Sequence, residues 1–549
     1  MVRSALIVAM LLSAAPAAAL PTDFKAKADQ MLADAYAASG PGAAVIVTEN
    51  GKTVYAAGRG LADVERNISI TPATRFRIGS ITKQFTAAAI LRLVEQGKVS
   101  LDDPLSKYLP TYPAPGASAT VRQLLNHTSG VMPYTNIPGW MTEAQTGRPY
   151  TTEQLIAVFK DLPAPSRPGE KYQYNNSGYV LLGAILEKVS GKSWDKALAD
   201  LIAPLKLASI RSGIGVDGTA GMALGYTDTD GKVALAQNIN MSVPHAAGAL
   251  VGTVGDLATW GNALHNGKLL SATSYAGMTG SVTTADGKTE PYGYGLQTGD
   301  VRGHKEIGHG GGIFGFSTDS LYLPKEKIFV AVFANSDSPQ SSPGMVARRL
   351  AALAVNDAYP VFTKGVVDPK ALEPAFGVYA FDNIKRTFFA RDGKLFMQRE
   401  GNGALEVFSA GKGRFFYGTD SLSWFELVGD GPSVRRIAFY PEGESKAAMG
   451  SRTAPPPIEK PAVANSAATL DLYAGSYTSM AGIFVFKREG DGLTVKLGGQ
   501  PAFPLKATSA TEFEIPQVGA RIRFNVKDGK AGTITLFQGG QELEGVRSN

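Results

Sequence analysis

The polar pair Thr22-Asp23 opens a segment that reads as a capped helix to about Ala37, and Ala43 to Thr48 and Thr53 to Ala57 flank Asn50-Gly51 as the arms of a hairpin. Between Ser80 and Gln96 the chain is apolar nearly all round (Phe85, Ala87 to Leu91, Leu93, Val94) and stops at Gly97, the pattern of a centrally buried helix. From about Val121 to Leu207 helical patterns alternate with Pro/Gly loops, as in Gly178 to Val189 before Gly191. Tyr292 to Leu296, His309 to Phe316, Ser320 to Leu323 and Ile328 to Phe333 then read as strands, and Pro343 begins a last helix to Val355. Helix, hairpin, helical middle, strands and closing helix predict an α/β sandwich with an inserted helical lobe over residues 20–358.

Beyond it the pattern changes. After a linker at 359–371, short aromatic-rich strands are separated by Asp-Gly and Gly-Gly turns, and helical periodicity all but vanishes. The stretch is also repeated: Leu372-Glu373, Gly377 and Tyr379 return 98 residues later as Leu470-Asp471, Gly475 and Tyr477. Each copy continues through a turn (Asp392-Gly393; Asp491-Gly492), an aromatic strand (Phe415-Phe416; Phe513) and a β-run near Ile437 or Ile534. Two small all-β modules are expected, 372–453 and 467–549, closed into barrels so that no strand edge is exposed. A semi-rigid Pro/Ala-rich linker at 454–466 joins them.

Composition narrows the class of protein. A chain of 549 residues exceeds one core; 44% hydrophobic and 19% charged residues suit a soluble globular protein. A formal charge of +6 without any basic run argues against nucleic-acid binding. Met1-Val2-Arg3-Ser4, the apolar Ala5 to Ala15 and Ala17-Ala18-Ala19 read as the parts of a signal peptide, residues 1–19, and predict a secreted or periplasmic location. Without cysteine there is no lipid-anchor site, disulfide or thiolate metal ligand, and no later stretch is long and apolar enough to span a bilayer. His127, His245, His265 and His304 show no ligand spacing, so neither metal nor other cofactor is expected.

Against that background Ser80-Ile81-Thr82-Lys83 stands out. Ser80 and Lys83 fall one turn apart on one helix face, so an amine can reach the hydroxyl and make it a nucleophile without histidine. Spacing alone does not single them out, because Ser193/Lys196 and Ser409/Lys412 share it. Only Ser80 heads a buried helix, where free N–H groups and the dipole favour developing negative charge. Downstream, Tyr174-Asn175-Asn176 precedes Gly178 and by itself reads as a polar helix cap. His309-Gly310-Gly311-Gly312 falls in a predicted strand, where missing side chains open an edge to a substrate backbone; its spacing does not fit a phosphate loop, and no lysine follows.

Taken in order, Ser80/Lys83, Tyr174/Asn176 and His309/Gly311 resemble the three motifs of the serine β-lactamase and penicillin-binding-protein superfamily, nearest its class C β-lactamase-like branch. Supporting matches are Asn126-His127-Thr128-Ser129-Gly130, Pro168-Gly169-Glu170 and Tyr292-Gly293-Tyr294-Gly295-Leu296, and the likeness covers about Asp23 to Val355. The resemblance implies an antiparallel sheet flanked by helices and a serine hydrolase working through an acyl-enzyme. Ser80 would be the nucleophile, Lys83 or Tyr174 the general base, and Asn176 would orient Lys83 and substrate. His309 and Gly311 would bind substrate, and the N–H groups of Ser80 and Gly312 would form an oxyanion hole. His127 is read as shaping the helical lobe and Glu170 as structural.

Relatives that hydrolyse β-lactams or trim cell-wall peptides usually carry lysine where His309 stands, a fixed cation for a substrate carboxylate. Histidine there, with two β modules behind, most resembles the three-domain D-aminopeptidase type, whose extra domains are lipocalin-like eight-stranded barrels. The implied partners are small substrates, D-amino-acid peptides first. The alternatives are an esterase, a β-lactamase or a D-alanyl-D-alanine carboxypeptidase with the same nucleophile, and a penicillin or cell-wall sensor that acylates without turnover. No nucleic acid or stable membrane anchor is implied, and the oligomeric state has no signature in the sequence.

Overall fold

The computed structural model describes residues 20–548 apart from 217–218, 230, 419–420, 430–433, 458–462, 480–481, 498–501, 528 and 539–540. The expected signal peptide at 1–19 and the middle of the Pro/Ala-rich linker therefore lie outside the described residues. The chain divides into two units between Tyr359 and Pro360.

In the first unit, β1 (Ala43–Glu49), β2 (Lys52–Arg59), β3 (Gln297–Val301), β4 (His304–Ile313), β5 (Phe316–Leu323) and β6 (Ile328–Ala334) form one antiparallel sheet in the order β3-β4-β5-β6-β1-β2. β6 is buried along its whole length, as a strand covered on both faces must be, which accounts for its run Ile-Phe-Val-Ala-Val-Phe-Ala. The helices that position the site are α1 (Phe24–Ala35), α2 (Thr82–Glu95), α3 (Asn176–Ser190), α4 (His245–Gly248), α5 (Val254–His265) and α6 (Pro343–Ala354). α2 is buried from Thr82 to Leu91, with Phe85 stacked on Trp260 of α5 at 4.0 Å between ring centroids. Full burial of Phe85, Ile90 and Leu91 contributes about 1.5–3 kcal/mol each, which offsets the cost of carrying Lys83 into the same core.

Three expectations need correcting. Asp23 precedes α1 but makes no capping hydrogen bond; its carboxylate pairs with Lys27 at 2.9 Å instead. Tyr292 to Leu296 is not a strand. Gly293 and Gly295 are pressed against other backbone, where a Cβ would lie 2.3 Å from the Met278 carbonyl oxygen and 2.7 Å from that of Lys83, so the segment wedges behind α2 with a single bridge to Gln297. His309 to Phe316 is not continuous either: Phe314-Gly315 turns the chain at a glycine φ of 79°, and Phe316 begins β5.

The second unit contains two closed eight-stranded barrels, from Gly377–Phe381 to Ala448–Ala454 and from Gly475–Ser479 to Gln541–Ser548. The repeat extends to individual hydrogen bonds. Tyr379 Oη donates to the Ala375 carbonyl at 2.5 Å and Tyr477 Oη to that of Tyr473 at 3.3 Å. Arg452 donates to the carbonyls of Pro374 and Phe376, and Arg547 to those of Leu472 and Ala474, each arginine tying the last strand to the segment entering the first. The barrels are filled by their own side chains, Phe388, Phe415 and Phe425 in one and Phe484, Phe486 and Phe524 in the other. Residues of the expected 359–371 linker lie on the first barrel's outer face, with Phe362 stacked on Phe416 and the Gly365 N–H donating to the Ser409 carbonyl at 2.7 Å.

Candidate active site

Ser80 sits on a tight turn, Gly79–Ile81, that feeds directly into α2. The turn is held from both sides. On one, the Ile78 N–H donates to the Leu250 carbonyl and the Leu250 N–H to Thr82 Oγ1, at 3.0 and 3.1 Å. On the other it abuts β4, and Thr318 Oγ1 of the neighbouring β5 donates to the Ile78 carbonyl at 3.0 Å. A Cβ at Gly311 would lie 2.1 Å from that same carbonyl oxygen, so Gly311 is required by the closeness of two stretches of protein backbone and not by substrate, as the sequence suggested. At Gly312 nothing stands within 4 Å.

The two-residue turn fixes where the Gly312 N–H points. Ile313 and Phe316 close the hairpin and must exchange hydrogen bonds, so the next pair, Gly312 and Ser317, does not, and the Gly312 N–H and C=O project away from β5. They project toward the serine turn, for a Cβ at Gly79 would stand 2.9 Å from the Gly312 nitrogen. The Ser80 N–H lies in the first turn of a helix, among the donors that the helix leaves unpaired.

Lys83 is fully buried and its Nζ has three neighbours: Ser80 Oγ at 3.0 Å, Asn176 Oδ1 at 2.8 Å and the Ala247 carbonyl, presented by α4, at 2.9 Å. Burial, uncountered by any carboxylate, holds its pKa well below the ordinary lysine value. A neutral amine fits this triad: two N–H bonds go to the oxygens that can only accept, and the lone pair faces the serine hydroxyl. Tyr174 shares a hydrogen bond with Ser80 and has its ring 4.8 Å from Lys83 Nζ. Desolvation pushes its phenol above the ordinary value, a shift moderated by the Ser80 bond, and the residue is 37% exposed.

The two adjacent asparagines take different roles. Asn175 is the cap of α3, its Oδ1 accepting from the Gly178 N–H at 3.2 Å, which frees Asn176 in the first turn to reach Lys83. His309 is buried, with Nδ1 2.5 Å from the Gly310 carbonyl and Nε2 2.9 Å from Tyr292 Oη. A carbonyl only accepts, so Nδ1 carries the proton and Tyr292 donates to Nε2. Burial, the largest cause, lowers its pKa to about 3, leaving a neutral ring with both nitrogens engaged. Glu170 closes its own turn by accepting the Arg167 N–H at 3.0 Å.

The structure thus gathers Ser80, Lys83, Tyr174, Asn176, His309 and the Gly311-Gly312 edge into one cluster. Neither other serine–lysine pair has such surroundings: Ser193 precedes a helix beginning at Trp194, and Ser409 lies in a barrel strand. Two contributors escaped the sequence reading. The Ala247 carbonyl has no side-chain signature, while Tyr292 stood in a quoted motif but was read as part of a strand. Among the described residues no group of histidines and carboxylates could hold a metal, and no helix is long and apolar enough to cross a membrane.

An antiparallel sheet between helices, with an inserted helical lobe meeting the sheet's edge at a serine, is the β-lactamase type of fold. The chain belongs to the β-lactamase family of serine hydrolases, whose model, described as Beta-lactamase, matches residues 26–355. It is 28% identical over 308 residues to protein flp of Staphylococcus aureus strain MW2, covering 54% of this chain and 60% of the relative. It is 29% identical, again over 308 residues, to a D-aminopeptidase of Gluconobacter oxydans, covering 54% of this chain and 56% of that one. The matches thus span little more than half the length of these curated relatives. Among solved structures, the octameric penicillin-binding protein homologue from Pyrococcus abyssi is similar with a TM-score of 0.54 and 26% identity, over 78% of this chain and 99% of that one.

Proposed function

We propose that the protein is an exported serine hydrolase of the class C β-lactamase-like branch that forms an acyl-enzyme on Ser80. The observation that carries this reading is the Lys83 amine, buried without a counter-ion, 3.0 Å from Ser80 Oγ. As Ser80 Oγ attacks a carbonyl carbon, its proton passes to Lys83 Nζ and the carbonyl electron pair moves onto the oxygen. The N–H groups of Ser80 and Gly312 stabilise that oxyanion, and two such donors are worth several kcal/mol in a site that needs no reorganisation. When the intermediate collapses, the C–N or C–O bond breaks and the leaving group takes a proton from the Lys83/Tyr174 pair. Lys83, pulled down, is available as a free amine to take the serine proton and, once charged, is the stronger acid of the pair, while Tyr174, pushed up, stays protonated and can relay that proton to the leaving group. Water then attacks the acyl carbon by the reverse route and frees Ser80.

The substrate class follows from charge. A neutral His309 with both nitrogens engaged offers no cation to a substrate carboxylate, which disfavours β-lactams and carboxypeptidase substrates. Amides and esters of amino acids without a free carboxylate at that subsite suit it, and the likeness to a D-aminopeptidase favours D-residues with a free amine. The test is a panel of D- and L-amino-acid p-nitroanilides, short p-nitrophenyl esters and nitrocefin, read against Ser80→Ala. Preference for D-anilides or esters, abolished in the variant, is the expected result. Nitrocefin as best substrate, or full activity in Ser80→Ala, would overturn it. A burst without turnover on every substrate would mark an acylating sensor.

A further inference from the structure

We infer that His127 is a positioning residue for Tyr174 and Asn176, holding both through the one peptide between them; this rests on the acyl-serine reading above. His127 adopts a left-handed backbone conformation, φ 63°, which is strained for a non-glycine residue. The strain is maintained by a zipper between two loops, with the Gln173 N–H donating to the His127 carbonyl at 2.9 Å and the Gly169 N–H to the Thr128 carbonyl at 2.7 Å. It brings the imidazole, 1% exposed, under the Tyr174 ring at 4.4 Å between centroids. From there Nδ1 accepts the Asn175 N–H at 3.0 Å. That N–H lies between the two site residues, and the rest of Asn175 is committed, its Oδ1 to the Gly178 N–H and its Nδ2 to the Val131 carbonyl at 2.6 Å.

Because Nδ1 accepts, Nε2 carries the proton, yet Nε2 is buried with no hydrogen-bond partner among the described residues. A purely structural filler would not retain that unpaired donor in a strained backbone: phenylalanine would fill the space and asparagine would tolerate the conformation. Histidine alone among common residues supplies a flat ring for the tyrosine and an acceptor for the peptide together. The groups facing it are Lys83, Tyr172, Tyr174, Tyr179, Tyr292 and His309, all uncharged when Lys83 is a free amine, and burial keeps the imidazole neutral too. Removing the ring would admit water beside Lys83 and let the lysine pKa rise toward its ordinary value.

The experiment uses the full chain with His127→Asn, which keeps the backbone conformation and an acceptor but loses the ring, and His127→Phe, which keeps the ring but leaves the Asn175 N–H unpaired. Folding is checked by circular dichroism and urea titration, and acylation by stopped-flow release of p-nitrophenol from p-nitrophenyl acetate across pH. A displacement of about 1 Å at the reacting groups predicts a loss of about 10- to 100-fold in the acylation rate constant for each variant, with little change in KM. In His127→Asn the acid limb of the rate profile moves to higher pH. A folded variant acylating at the wild-type rate with an unmoved limb overturns the inference, as does a loss that merely tracks the unfolded fraction. If His127→Phe does not fold, His127→Asn decides alone. Ser80→Ala is run beside them: undiminished acylation there sinks the acyl-serine reading itself, whatever the His127 variants do.

Discussion

Alanine placed at Gly311 and at Gly312 should give opposite results, although the two glycines are adjacent on one strand. At Gly311 the new Cβ would stand 2.1 Å from the Ile78 carbonyl oxygen and 2.4 Å from Thr318 Oγ1. Ordinary van der Waals contact with that oxygen needs roughly 1.5 Å more, and the atom in the way is backbone two residues before the nucleophile. β4 and the serine turn must therefore separate, and overpacking of this kind costs about 1–3 kcal/mol. The separation also pulls the Gly312 N–H away from Ser80, and a misplacement of that size costs about 100-fold in rate. At Gly312 the same methyl meets nothing within 4 Å, so stability should hold or rise by a few tenths of a kcal/mol through the unfolded chain. Urea unfolding measures the first effect, and the rate of fluorophosphonate labelling of Ser80, which needs little room, measures the second. Wild-type labelling in Gly311→Ala, or a loss above about 1 kcal/mol in Gly312→Ala, would refute the packing argument.

Lys83→Met preserves volume and removes the base, so acylation should fall by about 100- to 10,000-fold while the urea midpoint changes little, the lost desolvation penalty offsetting two acceptors left without a donor; near-normal acylation would exclude Lys83 as base. Tyr292→Phe strips His309 Nε2 of its donor in a buried site and should cost about 1–3 kcal/mol in urea unfolding, an unchanged midpoint counting against the assigned tautomer. Acid should destabilise the first unit. His245 and His309 stay neutral in the fold until about pH 3, and His127 is likewise held low, whereas unfolded histidine takes up a proton near pH 6.5. The unfolded state then binds more protons between those values, so stability falls with decreasing pH at up to about 1.4 kcal/mol per pH unit for each histidine. Asp319, raised to about 7 by burial and by Glu306, acts with the opposite sign between its unfolded and folded values. Urea midpoints at pH 7 and pH 5 test the balance, and Asp319→Asn should steepen the loss.

How much of this was legible beforehand depended on whether the information was local. The α2 helix, its Gly97 stop and the β1–β2 hairpin follow from periodicity and turn chemistry, and they appear where the pattern placed them. The 98-residue repeat was legible because each barrel needs the same tyrosine beside the same entry segment, now seen as Tyr379 and Tyr477. What escaped depends on distant backbone. Gly293 and Gly295 read as strand residues because nothing in their neighbourhood along the chain reveals that Met278 and Lys83 carbonyls will press on them. The reason for Gly311 was misassigned on the same ground, since Ile78 lies more than two hundred residues earlier. The resemblance singled out Asn176 for Lys83, but that Asn175 alone serves as the cap became visible only with the start of α3.

The central claim is that Ser80 becomes acylated and is then released, and rapid acid quenching tests it most directly. The full chain mixed with a p-nitrophenyl ester, quenched within milliseconds and mapped by mass spectrometry, should carry one acyl group on the peptide containing Ser80. That adduct should decay at the rate at which free acid is formed. Turnover with no adduct at Ser80, or an adduct at Ser193 or Ser409 in its place, would contradict the account.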